Sequence, residues 1–167
     1  MASALSLRVR SHAVLLDRQS VVMTDEVVTD QAGFRVRFGW DPNDTALLAP
    51  RSDLVVVVDV LRFTTAVTVA VERGAFVYPY RWLDDTAREF AASVGSVLAD
   101  GADQAGPSLS PVSLQRVDVG ERLVLPSPNG ATLTLLAAEC GPYVVAGSLC
   151  NASAVAERSA AHPRTGS

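Results

Sequence analysis

The chain changes its hydrophobic period repeatedly, and each change marks an element. From Phe34 to Trp40 apolar and polar positions alternate, with Phe34, Val36, Phe38 and Trp40 on one face and Arg35 and Arg37 on the other, which predicts a half-buried strand. Asp41-Pro42-Asn43-Asp44 reads as a turn. Leu54 to Val58 is an unbroken apolar run, the pattern of a central strand covered on both faces. It leaves through Asp59-Val60-Leu61-Arg62-Phe63-Thr64-Thr65 into a helix over Ala66 to Arg73 that Gly74 stops. A second strand spans Ala75 to Tyr80; Asp84-Asp85 then caps a helix reaching Val94, Gly95 ends it, and Val97 to Ala99 suits a short strand. Asp100 to Val112, with its Gly, Pro and Ser, reads as a loop. Leu123-Val124-Leu125 passes through Pro126-Ser127-Pro128-Asn129-Gly130 into a helix over Ala131 to Glu139. Tyr143-Val144-Val145-Ala146 passes through Gly147-Ser148-Leu149-Cys150-Asn151 into a last helix that fades near His162-Pro163.

Strand, small polar loop and helix therefore recur three times. Such alternation predicts an α/β fold of mainly parallel strands, whose right-handed crossovers bring successive strand-end loops to one edge. Helix N-termini aim free N–H groups and partial positive charge at that edge, which suits a small phosphorylated anion. Residues 1–32 show no sustained period, although Ser20 to Thr29 could pair as an edge strand; they read as a poorly anchored extension. The domain is expected over 33–161, with 162–167 as a tail.

Composition narrows the function. At 167 residues and 49% hydrophobic, one domain with a substantial core is expected. A net charge of -4 and the lack of any basic run argue against nucleic acid or an anionic membrane as partner. The apolar stretch Ala13 to Leu16 is too short for a signal peptide or a membrane span, so a cytoplasmic protein is expected. Cys140 and Cys150 form neither a disulfide framework nor a C-x-x-C motif. All 14 basic residues are arginine, which rules out a lysine Schiff base and a P-loop ending in Gly-Lys-Ser/Thr. His12 and His162 lie near the chain ends, poorly placed for a general base. A cysteine phosphatase would need an arginine where Ala146 follows Cys140 and Ala156 follows Cys150. Carboxylate, arginine, hydroxyl and backbone amide remain, with a hard metal ion as their natural companion.

Asp59 is the one acid in the apolar run Leu54 to Leu61, where an ionised carboxylate is costly unless paired or bound to a cation. Arg62 follows within ~10 Å of extended chain and offers a planar fork for phosphate or carboxylate. The pair reads either as a bridge closing the strand end or as part of a site. Thr64, Thr65, Asn129, Ser148 and Asn151 each stand where an N-cap is expected, and Gly130 and Gly147 where turn glycines are. Three such loops on one edge build an anion site from backbone amides.

Asp59-Val60-Leu61-Arg62-Phe63-Thr64-Thr65, Ser127-Pro128-Asn129-Gly130 and Gly147-Ser148-Leu149-Cys150-Asn151-Ala152-Ser153-Ala154-Val155-Ala156, in this order and spacing, resemble the 2-phosphosulfolactate phosphatases from about Phe34 to Ala156. The resemblance implies a three-layer α/β/α domain with a mixed sheet, Mg²⁺ dependence, and hydrolysis of a phosphate ester on a short sulfonated or carboxylated acid, in the setting of coenzyme M biosynthesis. It implies Asp59 as the metal-binding or catalytic carboxylate and Arg62 as the clamp on phosphate or sulfonate, with Thr64 and Thr65 completing that loop. Asn129, with a catalytic role, and Gly130 would line the opposite wall, and Ser148 and Asn151 would present donors from the last loop.

Two departures stand out. The family's Gly-Glu-Arg element is replaced by Asp100-Gly101-Ala102-Asp103-Gln104-Ala105-Gly106, making Asp100 or Asp103 candidate substitute metal ligands. Members also continue beyond the Asn-Ala-Ser-Ala-Val-Ala helix, so the domain is expected to be incomplete at its C-terminus. The sequence supports a magnesium-dependent phosphatase for a small phosphorylated acid; the alternative is a degenerate relative that binds such an acid without turning it over. An aspartyl-phosphate route of haloacid-dehalogenase type ranks lower, since Leu61 stands where a second Asp is needed. A homo-oligomer is left open.

Overall fold

The computed structural model describes residue 31 and residues 34–101 and 106–162. The elements, in order, are α1 (Pro42–Leu48), a 3-10 turn (Ala49–Arg51), β1 (Leu54–Val58), α2 (Phe63–Glu72), β2 (Phe76–Tyr80) and α3 (Asp85–Ser93). They continue with β3 (Val97–Leu98), α4 (Pro111–Leu114), β4 (Arg122–Pro126), α5 (Gly130–Glu139), β5 (Tyr143–Gly147) and α6 (Ala152–Ala161). The fold is α/β, and the strands pair in two ladders, β1-β5 and β2-β4-β3. All three pairings are parallel, so the antiparallel component of a mixed sheet is not found among the described residues.

Packing explains the order of layers. Leu123 and Leu125 on one face of β4 join a core with Phe63, Ala66, Val67 and Ala70 of α2 and Leu114 of α4. Val124 points the other way and is equally buried, and α3 packs on β3 and β4 with Ala87 and Ala91 on its buried face. At β4 the sheet is thus covered on both sides, which suits its apolar run. A second core joins Ala49, Val57, Ala137 and Val144, so α5 closes over β1 and β5. Both α2 and α5 touch β5 and β2 and so tie the two ladders together. Gly74, at φ +86°, stops α2 in the left-handed conformation that glycine adopts without penalty, as the sequence predicts. Pro79 interrupts no ladder because β2 lies at the ladder's edge.

Several expectations are corrected. Phe34 to Trp40 is not a strand: Phe34, Val36, Phe38 and Trp40 are all exposed, and the alternation finds no partner strand among the described residues. Instead the Gln31 side chain donates to the Phe38 carbonyl and accepts the Phe38 N–H, Arg37 reaches the Arg51 carbonyl, and Phe38 stacks edge-on against Trp40. Asp41 to Asp44 is no turn but the start of α1, because Asp41 Oδ1 accepts from the N–H groups of Asn43 and Asp44 and Pro42 fits the first turn. The run Leu54 to Val58 is not central. It ends its ladder among the described residues, and Val58 is 65% exposed. Within the expected loop Asp100 to Val112 a short helix begins at Pro111. Of the extension and tail, Gln31 and His162 are described, and Ser20 to Thr29 lies outside the described residues. No helix among the described residues is long and apolar enough to cross a membrane.

Candidate active site

The first loop is fixed by its own backbone. Asp59 N–H donates to Thr64 Oγ1 at 3.0 Å, and Thr64 N–H donates back to the Asp59 carbonyl at 2.9 Å. Thr65 Oγ1 donates to the Val60 carbonyl at 2.8 Å. The two threonines therefore shape the loop from inside, and neither caps α2, whose N-cap position is Arg62 without a side-chain bond. Thr64 is fully buried, Thr65 and Asp59 are half-buried, and Arg62 is exposed. Asp59 and Arg62 form no ion pair, so the bridging reading of that pair is not what the chain adopts. The Asp59 carboxylate accepts no hydrogen bond from any described residue.

The second loop meets the first at Gly130. A Cβ on that residue would lie 2.6 Å from Asp59 Oδ2 and 2.5 Å from Phe63 Cδ1, so only glycine admits both neighbours. The carboxylate consequently rests on the first residue of α5, where the helix's partial positive charge favours an anion. Ser127, buried, performs the capping expected of Asn129: its Oγ accepts the Gly130 N–H at 3.1 Å. Asn129 occupies the N-cap position without a side-chain bond and is exposed. Its amide is thereby left available to a ligand.

The third loop sits beside the first because β1 and β5 are paired, with Val58 opposite Gly147. Ser148 and Asn151 are 6% and 4% exposed. Asn151 Oδ1 accepts the Ser148 N–H at 2.8 Å, and Asn151 Nδ2 donates to the Ala146 carbonyl at 2.9 Å, which fixes the amide's orientation. Their side chains face inward and hold the loop's shape. Leu149 and Cys150 are exposed beside them, whereas the Cys140 thiol, at the end of α5, is pushed above its ordinary value by burial and by the Glu139 carboxylate.

Asp59, Arg62, Thr64, Thr65, Asn129, Gly130, Ser148 and Asn151 thus come from three loops, of which the first meets the second at Gly130 and lies beside the third through the β1–β5 pairing. Asp100 pairs with Arg88 at 3.4 Å in an open cleft at the end of β3, lined also by Leu83, Asp84, Asp85 and Leu98, and Asp103 lies outside the described residues. No group of three or more His, Cys, Asp or Glu able to hold a metal occurs among the described residues. The donors present fit a Mg²⁺ held by one carboxylate, since that ion keeps several waters and takes further oxygens from substrate phosphate. Sequence reasoning missed Ser127 and Thr68 as parts of this architecture. Ser127 stands three residues before the helix start, the spacing of a capping hydroxyl, and Thr68 lies one helical turn after Thr64.

Searches of curated proteins and of solved structures find no match. Residues 43–165 match the family described as 2-phosphosulpholactate phosphatase, a stretch that contains all three loops and runs from α1 through α6. The chain belongs to the 2-phosphosulpholactate phosphatase family.

Proposed function

We propose that the protein is a magnesium-dependent phosphatase that hydrolyses a small phosphorylated acid, such as 2-phosphosulfolactate, to the hydroxy acid and phosphate. A cytoplasmic setting and a place in coenzyme M biosynthesis belong to the same reading. The observation that carries it is the Asp59 carboxylate, bound by no described residue and seated where the loops after β1 and β4 meet. Mg²⁺, when bound, neutralises phosphoryl oxygens and lowers the cost of negative charge in the transition state. Asp59 would hold it or align the attacking water. Arg62, exposed and without an ion-pair partner among the described residues, clamps an anionic group of the substrate. Asn129, with the N–H groups of the first turn of α5 beyond Gly130, whose own N–H is held by Ser127, faces the phosphoryl oxygens. Water adds its oxygen to phosphorus, the ester P–O bond breaks, and the departing alkoxide takes up a proton to give the hydroxy acid.

A panel of small phosphate esters, assayed for orthophosphate with and without Mg²⁺, tests this directly. Release from 2-phosphosulfolactate that chelation abolishes is expected; no release from any member of the panel would refute the phosphatase. That the described residues bring one carboxylate, Asp59, to the meeting point favours a second reading, a non-catalytic binder of the same anion. In that case the phospho-acid raises the melting temperature with concentration while no phosphate appears.

Arg62→Lys discriminates between a geometric clamp and a mere positive field. An ammonium cannot reproduce the bidentate fork, so KM is expected to rise about tenfold with charge retained. An unchanged KM would leave Arg62 as a source of field only.

A further inference from the structure

We propose that Thr68, on the second turn of α2, is a positioning residue that presets the loop 148–151 against the Asp59 loop. Thr68 is 7% exposed, and its Oγ1 lies 2.8 Å from the Thr64 carbonyl and 3.2 Å from Ser148 Oγ. The first contact is what a helical threonine commonly makes with the preceding turn. The second is not local: it joins residues eighty apart in sequence.

Counting protons limits the network. Each hydroxyl carries one proton. Ser148 Oγ lies 3.2 Å from Thr68 Oγ1 and 3.1 Å from Asn151 Oδ1, so two orders are open. Either Thr68 donates to the Thr64 carbonyl and Ser148 to Thr68, or Thr68 donates to Ser148 and Ser148 to Asn151 Oδ1, which also accepts the Ser148 N–H. In both, Thr68 and Ser148 are hydrogen-bonded. Asn151 Nδ2 then donates to Ala146, a residue paired with Val57 of β1. On the other side, Thr64 Oγ1 accepts the Asp59 N–H. A continuous path therefore runs from the Asp59 backbone through α2 to the last loop and back to the strand beside it. Every link is buried or half-buried, where an unmade hydrogen bond is costly, so the path selects one arrangement of the two loops. A loop already arranged before substrate arrives avoids the loss of affinity that comes from populating a competent state only part of the time.

The catalytic part of this inference rests on the phosphatase reading; the structural part does not, and the experiment separates them. Amide hydrogen exchange is measured on the unliganded protein, wild type beside Thr68→Val, Thr68→Ser and Ser148→Ala. Thr68→Val and Ser148→Ala are expected to speed exchange at the Ser148 amide about tenfold, the factor one lost buried hydrogen bond allows, and Thr68→Ser to restore protection. With a phosphate ester that the wild type hydrolyses, Thr68→Val should raise KM about tenfold and leave kcat within about twofold, because saturating substrate re-imposes the arrangement. Unchanged exchange at Ser148 in both Thr68→Val and Ser148→Ala overturns the proposal, whatever happens to activity. So does faster exchange with an unchanged KM, or a lowered melting temperature as the only effect. Faster exchange in Thr68→Val and Ser148→Ala, where the wild type hydrolyses no ester, supports the loop coupling and counts against the phosphatase reading alone.

Discussion

Asp59→Asn is expected to lower magnesium-dependent phosphate release at least a hundredfold, which corresponds to ~2.7 kcal/mol of barrier. The substitution preserves shape and the two backbone bonds with Thr64, because those use the Asp59 N–H and carbonyl. What it removes is a charged oxygen that no described residue occupies and that the first turn of α5 favours. Stability is expected to change by less than about 1 kcal/mol, the scale of a carboxylate's interaction with a helix terminus. The assay is phosphate release across a Mg²⁺ titration, with a melting curve beside it. If Asp59→Asn keeps more than about a tenth of wild-type turnover, less than ~1.4 kcal/mol separates the two, and Asp59 is not central.

How far the sequence reaches can be seen by comparing β4 with β1. Both are short apolar runs, of which only β1 reads as a buried central strand. β4 is one, because α2, α4 and α3 supply side chains to both its faces. β1 is not, because nothing among the described residues pairs with its outer edge. Local pattern reports what a segment can bury and leaves open whether a partner arrives. The same limit explains Phe34 to Trp40, whose alternation is sound but whose apolar face meets no core among the described residues.

The three strand-end loops are legible in the sequence, and the hydrogen-bond partners of their side chains are less so. Asp59, Arg62 and Asn129 stand at the loops where the repeated motif places them, and no described residue binds their functional groups. Capping was the obvious use for Thr64, Asn129 and Asn151, yet none of these caps its helix through its side chain. Thr64 and Asn151 instead bind backbone across the loop, and the capping of α5 passes to Ser127. A short polar side chain at a helix start has several hydrogen-bond partners in reach, and tertiary packing chooses among them. Thr68 carried no local signal beyond its spacing, since its partner Ser148 lies on another strand-end loop.

Gly130→Ala is the second change expected to have a large effect, and it acts through space. Gly130 does not have a positive φ, so alanine meets no backbone penalty there and by helix propensity alone would be favoured. Sterics outweigh that gain. The new methyl would sit 2.5 Å from Phe63 Cδ1 and 2.7 Å from Phe63 Cβ, and Phe63 is 1% exposed in the main core, with no room to yield. The remaining neighbour is Asp59 Oδ2 at 2.6 Å, at the end of a side chain that can turn aside. Relief therefore comes from shifting the start of α5, displacing the carboxylate, or both. Overpacking of this kind costs about 1–3 kcal/mol, or roughly 3–10 °C in melting temperature for a chain of this size. Turnover should fall at least about tenfold, since small misplacements of a reacting group are expensive. A double-mutant cycle separates the two causes. In an Asp59→Asn background, Gly130→Ala should still lower the melting temperature, through Phe63, but should reduce the residual turnover little further, because the group it displaces has already lost its function. Full activity and an unshifted melting temperature in Gly130→Ala would show that α5 accommodates the methyl, and that its close approach to Asp59 is not needed.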